Sequence, residues 1–176
     1  MRFSESKIQG AYIITLEKIE DSRGYFARTF DKREFQKLGL IDEFIQLSIS
    51  SNKKKGTFRG MHFQTEPHSE TKIVSCVKGK IFDVIVDLRK ESPTFRQWES
   101  NELSSDDHTM LYIPEGIAHG FQTMEDDSEV SYHMSKEFNA KYYTGVRWDD
   151  PAFRIELPLP VTVISEKDSS YERFEE

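Results

Sequence analysis

Apolar residues recur at every second position through much of the chain, the period of a strand with two unlike faces. The clearest case is a pair of β-branched runs, 72–77 and 81–88, around the turn Lys78-Gly79, which predicts a hairpin. In the second run Phe82, Val84, Val86 and Leu88 share one face, and Ile81, Asp83, Ile85 and Asp87 share the other. Two aspartates on one face of so apolar a strand predict that this face meets solvent or a wet cavity. Further strands are predicted over 12–16, 43–50, 58–63, 97–103, 108–113, 121–123 and 129–135. One helical signal interrupts them. Asp31 is an N-cap type with Glu34 three residues on, followed by Phe35 and Leu38 and stopped by Gly39, a short helix of about two turns. Short strands with turn signals between them define an all-β sandwich, jelly roll or barrel. No repeat, low-complexity tract or linker divides residues 1–176, so one domain is expected.

Charge and composition narrow the function classes. Asp and Glu number 31 against 24 Lys and Arg, a formal net charge of −7. Such a chain lacks the basic footprint that non-specific nucleic-acid binding needs. The apolar stretches are far shorter than the ~20 residues of a membrane-spanning helix. The opening Met-Arg-Phe-Ser-Glu-Ser-Lys has no apolar core of a secretion signal, so a cytoplasmic location is expected. Cys76 is the only cysteine, which excludes an internal disulfide and any multi-cysteine zinc site. Thirteen Phe, seven Tyr and two Trp supply the area for a packed core despite a mean hydropathy of −0.64. Residues 169–176 are mostly polar and are expected to fray.

Histidines stand at 62, 68, 108, 119 and 133. His108 and His133 read as ordinary packing or surface residues, and His68, beside Pro67 in a polar loop, stays open. His62 lies in the strand-like Gly56-Thr-Phe-Arg-Gly-Met-His-Phe-Gln64, and His119 closes the turn Pro114-Glu-Gly-Ile-Ala-His-Gly ahead of Phe121. The spacing Pro-x-Gly-x-x-His resembles the second half of the signature of the cupins, small jelly-roll barrels. Metal-binding cupins supply His-x-His and a downstream Glu in the first half. The matching triplet here is His62-Phe-Gln64, and an amide oxygen is a weak ligand for transition metals. At best His62, Glu70 and His119 remain, a handicapped metal set.

Eight segments, in order, together resemble the nucleotide-sugar epimerase family typified by dTDP-4-dehydrorhamnose 3,5-epimerase. They are Asp21-Ser-Arg-Gly-Tyr-Phe26, the His62 segment, Lys72-Ile-Val-Ser-Cys-Val-Lys-Gly79 and Phe82-Asp-Val-Ile-Val-Asp-Leu-Arg89. Ser92-Pro-Thr-Phe95, Ile113-Pro-Glu-Gly-Ile-Ala-His-Gly-Phe121, Gly145-Val-Arg-Trp-Asp-Asp-Pro151 and Ser165-Glu-Lys-Asp168 complete the set. The resemblance implies a cupin-type jelly roll with one or two short helices, without metal or cofactor. It also implies a homodimer whose N-terminal strands contribute to the partner's site, while the charge and the short apolar stretches leave neither nucleic acid nor membrane as an expected partner. The implied substrate is a nucleotide-diphosphate sugar, and the implied reaction inverts C3, C5 or both of a 4-keto-6-deoxy sugar in deoxysugar biosynthesis of the dTDP-rhamnose type, which serves cell-surface polysaccharide.

Inverting a carbon beside a ketone requires a base near neutrality, a stabiliser for the enolate oxygen and an acid on the opposite face. His62 fits the base, since imidazole titrates near pH 6.5. The resemblance makes Asp168 its partner, Lys72 the cation beside the sugar C4 oxygen and Tyr132 the acid; Asp83, on the polar face of its strand, is the other candidate to orient His62. The guanidinium forks of Arg23 and Arg59, each beside a Gly, suit diphosphate oxygens, and His119 and Lys167 match further substrate contacts of the family. Four positions depart from the family pattern. Arg28 stands for a Glu, Ser48 for the Asn of a Gln-x-Asn triplet that keeps Gln46, Tyr143 for a Glu ahead of Gly145, and Phe138 for a Tyr. These changes fall among residues expected around the nucleotide and the sugar rim, so the proton chemistry persists while the nucleotide or sugar is open, with dTDP favoured. Competing readings on the same scaffold are a 3,4-ketoisomerase of nucleotide sugars, a metal-dependent cupin enzyme, and a sugar-binding module without turnover.

Overall fold

The computed structural model describes residues 1–174. Among them the chain runs β1 (Arg2–Glu5), β2 (Tyr12–Thr15), β3 (Ile19–Asp21), β4 (Gly24–Phe26), α1 (Lys32–Lys37), β5 (Gln46–Asn52), β6 (Phe58–Gln64) and β7 (Lys72–Lys78). It continues through β8 (Lys80–Asp87), β9 (Trp98–Ser104), β10 (Met110–Ile113), β11 (Ile117–Thr123), β12 (Ser128–Met134), β13 (Tyr143–Gly145) and α2 (Glu166–Ser169). One sheet has the order β1-β2-β10-β7-β12-β5 and the other β13-β6-β11-β8-β9, while β3 and β4 form a separate hairpin. The strand pairs are antiparallel, and the crossed order makes this a cupin-type jelly roll.

Alternation decides which side chains fill which layer. Val74, Cys76, Leu111, Ile113 and Val130 from the first sheet meet Ile81, Ile85, Leu103, Ile117 and Phe121 from the second to form the inner core. The outer face of the second sheet is covered by the C-terminal stretch, with Phe58, Val84 and Val86 packed on Val146, Phe153 and Ile155. The outer face of the first sheet receives α1, where Phe35 packs against Ile14, Ile73 and Tyr112. Each such side chain, fully buried, is worth roughly 1.5–3 kcal/mol. Helix α1 forms as its signals require: the Asp31 carboxylate accepts from the Arg33 backbone N–H, and Leu38 caps the end ahead of Gly39.

Several expectations are revised. Both faces of β8 are covered, so Asp83 and Asp87 are fully buried and do not meet solvent. Asp87 instead clamps a loop, accepting from Arg89, Ser92 and Thr94. Burial pushes its carboxyl up, but those donors outweigh burial and hold it down at about 2. The predicted strand at 121–123 begins at Ile117, so His119 stands in mid-strand and not in a turn. The strand expected at 43–50 lies at Gln46–Asn52. Strands β1, β3, β4 and β13 were not foreseen. Fraying from residue 169 is not met through Phe174, whose N–H donates to Asp150 Oδ2 at 2.7 Å and whose ring packs on Phe153. Residues 175 and 176 lie outside the described residues. Among the described residues, no helix is long and apolar enough to cross a membrane.

Candidate active site

Strands β6 and β11 pair with His62 directly opposite His119. Their backbones approach closely at Gly60, where a Cβ would come within 2.4 Å of Gly120 Cα and where φ is +138°. Only glycine suits such a position. The same Gly60 N–H donates to Asp168 Oδ2 at 3.3 Å. Asp168 arrives on α2, whose N-cap Ser165 accepts from the Asp168 backbone N–H at 3.0 Å. Its other oxygen, Oδ1, lies 2.7 Å from His62 Nε2. An ionised carboxylate only accepts, so the proton of neutral His62 is assigned to Nε2 and the lone pair to Nδ1.

His62 opens onto a cleft of about 220 Å³ that it shares with Arg59, Lys72, His119, Tyr132 and Tyr143. Lys72 opens β7 with its ammonium 2.9 Å from Glu70 Oε1 and 3.2 Å from the His62 carbonyl oxygen. His119 Nε2 lies 2.7 Å from Asp83 Oδ2. The Tyr132 ring meets the His119 ring edge-on at 6.0 Å. Arg59 Nε donates to Asn52 Oδ1 at 2.6 Å. On the remaining wall the Tyr143 ring sits 5.2 Å from His62, 5.1 Å from Phe138 and 4.3 Å beneath Lys167 Nζ. A second hollow of about 350 Å³ adjoins through Arg59, His62 and Tyr143 and reaches Asp168.

Burial sets the protonation states. Desolvation lowers the His62 pKa below its ordinary value, aided by the Lys72 and His119 charges and opposed by Asp168. Burial pushes Asp168 up, but the bonds from His62 and the Gly60 N–H prevail and leave its carboxyl below the usual range. Burial also drives the Tyr132 phenol well above its ordinary value, with the Asp83 charge adding to the effect. Neutral imidazole and protonated phenol therefore face one cleft at neutral pH.

Several foreseen residues converge, and others do not. Arg59, His62, Lys72, His119, Tyr132 and Tyr143 line the cleft, with Asp168 behind His62 and Phe138 and Lys167 beside Tyr143. Gln46 and Ser48 lie on β5, where Gln46 Oε1 accepts from the Phe138 N–H and Ser48 pairs with Tyr132. Asp83 bonds His119 and not His62, because β8 runs beside β11. Arg23 stands apart on the β3–β4 hairpin, its side chain 87% exposed and paired with Asp21. Arg28 lies 3.6 Å from Asp31, beside the start of α1. Among the open histidines, His68 stacks on Tyr142 and His133 packs against Phe44, while His108 bonds Tyr25. The sequence reading missed Ser50, Met134 and Tyr171. Ser50 and Met134 line the cleft, and the Tyr171 ring meets His62 edge-on at 6.2 Å. Strand alternation from Ser48 and from Tyr132 was the available signal for the first two.

Within the handicapped metal set, His62 and His119 bond Asp168 and Asp83 through Nε2, and Glu70 is paired with the Lys72 ammonium, a cation that a metal ion would have to displace. Gln64 is a loop clamp, its oxygen accepting from the Asn139 N–H at 2.6 Å and its amide donating to the His68 and Glu137 carbonyls.

A jelly roll with ionisable side chains gathered around one such cleft has the architecture of a cupin-type enzyme. The family model described as dTDP-4-dehydrorhamnose 3,5-epimerase matches residues 5–176. A protein of that name from Sinorhizobium fredii is 41% identical over 97% of this chain and 88% of its own. The crystal structure of the Bacillus anthracis enzyme of that name, with TDP and PPi bound, superposes with a TM-score of 0.94 at 36% identity, covering 98% of this chain and 99% of that one. The Legionella pneumophila dTDP-6-deoxy-D-glucose-3,5-epimerase, in complex with dTDP-4-keto-L-rhamnose, gives 0.91 at 32% identity over 98% of this chain and 92% of the other. The chain belongs to the dTDP-4-dehydrorhamnose 3,5-epimerase family.

Proposed function

We propose that this epimerase inverts C3, C5 or both of a dTDP-linked 4-keto-6-deoxy sugar, with His62 as the base. The observation that carries the reading is the His62–Asp168 bond of 2.7 Å beside a cleft that also holds Lys72 and Tyr132. His62 takes the proton from the carbon next to the ketone, and the C–H electron pair passes to the C4 oxygen as an enolate. Asp168 stabilises the imidazolium that forms. The Lys72 ammonium faces the enolate oxygen, and a charge so placed in a dry site acts far more strongly than in water. Tyr132 then gives its phenolic proton to the opposite face of the carbon, and both side chains re-equilibrate with solvent. A phenol is a weak acid, but an enolate is basic enough to take its proton.

Arg59, His119 and Lys167 supply cationic or donor groups for the diphosphate and sugar, while Phe138 and Tyr143 flank the ligand with rings. The relatives from Bacillus anthracis and Legionella pneumophila, with TDP and a dTDP-sugar bound, support dTDP as the nucleotide. Gln46 and Ser48 share the β5 face that carries Ser50 into the cleft. Arg23 and Arg28 lie away from the cleft of their own chain, and the hairpin beside them exposes Ile19 and Phe26 at 69% and 66%. A homodimer that covers this hairpin and delivers Arg23 or Arg28 to the neighbouring site accounts for both facts. A nucleotide-sugar substrate is consistent with a cytoplasmic setting.

The test is incubation with the dTDP-4-keto-6-deoxyhexose in heavy water, with the product read by NMR. Deuterium at C3 or C5 with the carbonyl still at C4 is the expected result. A carbonyl moved to C3 identifies a ketoisomerase instead. His62→Ala abolishes exchange, and full exchange in that variant overturns the assignment of the base.

A further inference from the structure

Glu70 lies in the short connection ahead of β7, two residues before Lys72 opens that strand, and the two side chains meet. Their oxygen and nitrogen lie 2.9 Å apart, and the side chains are only 5% and 8% exposed. An ammonium has three N–H donors. One is taken by Glu70 Oε1 and a second by the His62 carbonyl, which leaves one for the cleft that Lys72 lines. Lysine otherwise carries its charge on a flexible four-carbon stem that samples many positions. Glu70 Oε2, meanwhile, is buried with no hydrogen-bond partner. A bare, desolvated carboxylate oxygen is a standing cost to the fold, and such a group calls for a reason other than stability.

We infer that Glu70 is a positioning residue for the reaction: with the His62 carbonyl it holds the Lys72 ammonium as a tripod with one leg free, aimed where the enolate oxygen forms. The inference rests on the role proposed for Lys72. Because one leg stands on the backbone of the base itself, the same tripod fixes the cation relative to His62. Prearranged charge of this kind spares the site reorganisation when the oxyanion appears.

The experiment measures kcat, KM and solvent-deuterium exchange for the full-length Glu70→Ala, Glu70→Gln and Lys72→Ala variants and the Glu70→Ala/Lys72→Ala double variant, with Tm alongside. Glu70→Ala is expected to lower kcat by about tenfold or more, with KM changed less than about threefold. Glu70→Gln keeps a neutral acceptor in place and recovers most of kcat. Lys72→Ala and the double variant should agree within about twofold, because Glu70 matters only while Lys72 is present. Glu70→Leu, which fills a similar volume, takes the place of Glu70→Ala if that variant fails to fold. Wild-type kcat in Glu70→Ala or Glu70→Leu, or a double variant that falls below Lys72→Ala by the whole Glu70 factor, overturns the inference while leaving Lys72 in its role. Undiminished turnover in Lys72→Ala removes that role and this inference with it.

Discussion

His62 and His119 are direct partners across β6 and β11, yet each presents its Nε2 to a different buried carboxylate, Asp168 and Asp83. The two pairs lie side by side and differ in how their acids are satisfied. Asp168 accepts through both oxygens, whereas Asp83 Oδ1 has no partner. The fully satisfied pair is the one placed at the proposed base.

Asp168→Asn replaces an acceptor with a group that can donate to His62 and so reverse the imidazole tautomer. Turnover should fall by about 10²–10⁴-fold with substrate binding largely kept. Stopped assays for kcat together with equilibrium binding of dTDP check this, and unchanged kcat would contradict the pairing.

The pH dependence follows from the burial of His62. Its folded pKa lies below the ordinary 6.5, and the reaction needs the neutral ring, so kcat/KM should be level through neutrality. Activity should fall only as pH drops through that lowered value. A profile of kcat/KM from about pH 5 to 9 tests the sign, and an acid-limb inflection above about pH 7 would contradict it.

Tyr132→Phe removes the phenolic proton but leaves the base. His62 can still take a proton and return deuterium to the same face, so wash-in from heavy water should continue while inversion stops. NMR of recovered substrate separates the two outcomes. Loss of exchange and inversion together would instead place Tyr132 in binding or in the first proton transfer.

Prolonged dialysis against a chelator should leave turnover unchanged, since a metal ion held by Glu70 would have to displace the Lys72 ammonium already paired with it. Activity lost on dialysis and restored by one added metal would contradict this.

Gly145 pairs with His62 across β13 and β6, and a Cβ there would lie 2.4 Å from Met61 O and 2.5 Å from the Tyr171 ring. Gly145→Ala should cost about 1–3 kcal/mol and lower Tm by several degrees. It should also reduce kcat, because Tyr171 packs on His62. Thermal unfolding and steady-state rates measure both effects.

The strands that alternate cleanly were legible in the residues themselves. β8 shows why alternation alone was not enough: it put Asp83 and Asp87 on one face correctly, but the sheet facing that side and the C-terminal cover on the other bury both. Which histidine Asp83 would meet depended on β11 lying beside β8, a long-range pairing that local pattern does not encode. The pairing of Asp168 with His62 is legible only through family resemblance, because 106 residues separate them. The hairpin of β3 and β4 is not legible in the sequence because its side chains are exposed on both faces and carry no hydrophobic period. Tyr171 and Phe174 were hidden by the charged residues around them, although both rings pack inward.

The order in which the chain is synthesised gives the Asp168 contact a further meaning. His62 emerges from the ribosome long before its carboxylate, which comes with the last short helix. A molecule clipped ahead of that helix retains the strands of both sheets but has an imidazole of unfixed tautomer. On the role proposed for Asp168, a cut ahead of that helix is expected to lower turnover even where the strands of both sheets remain.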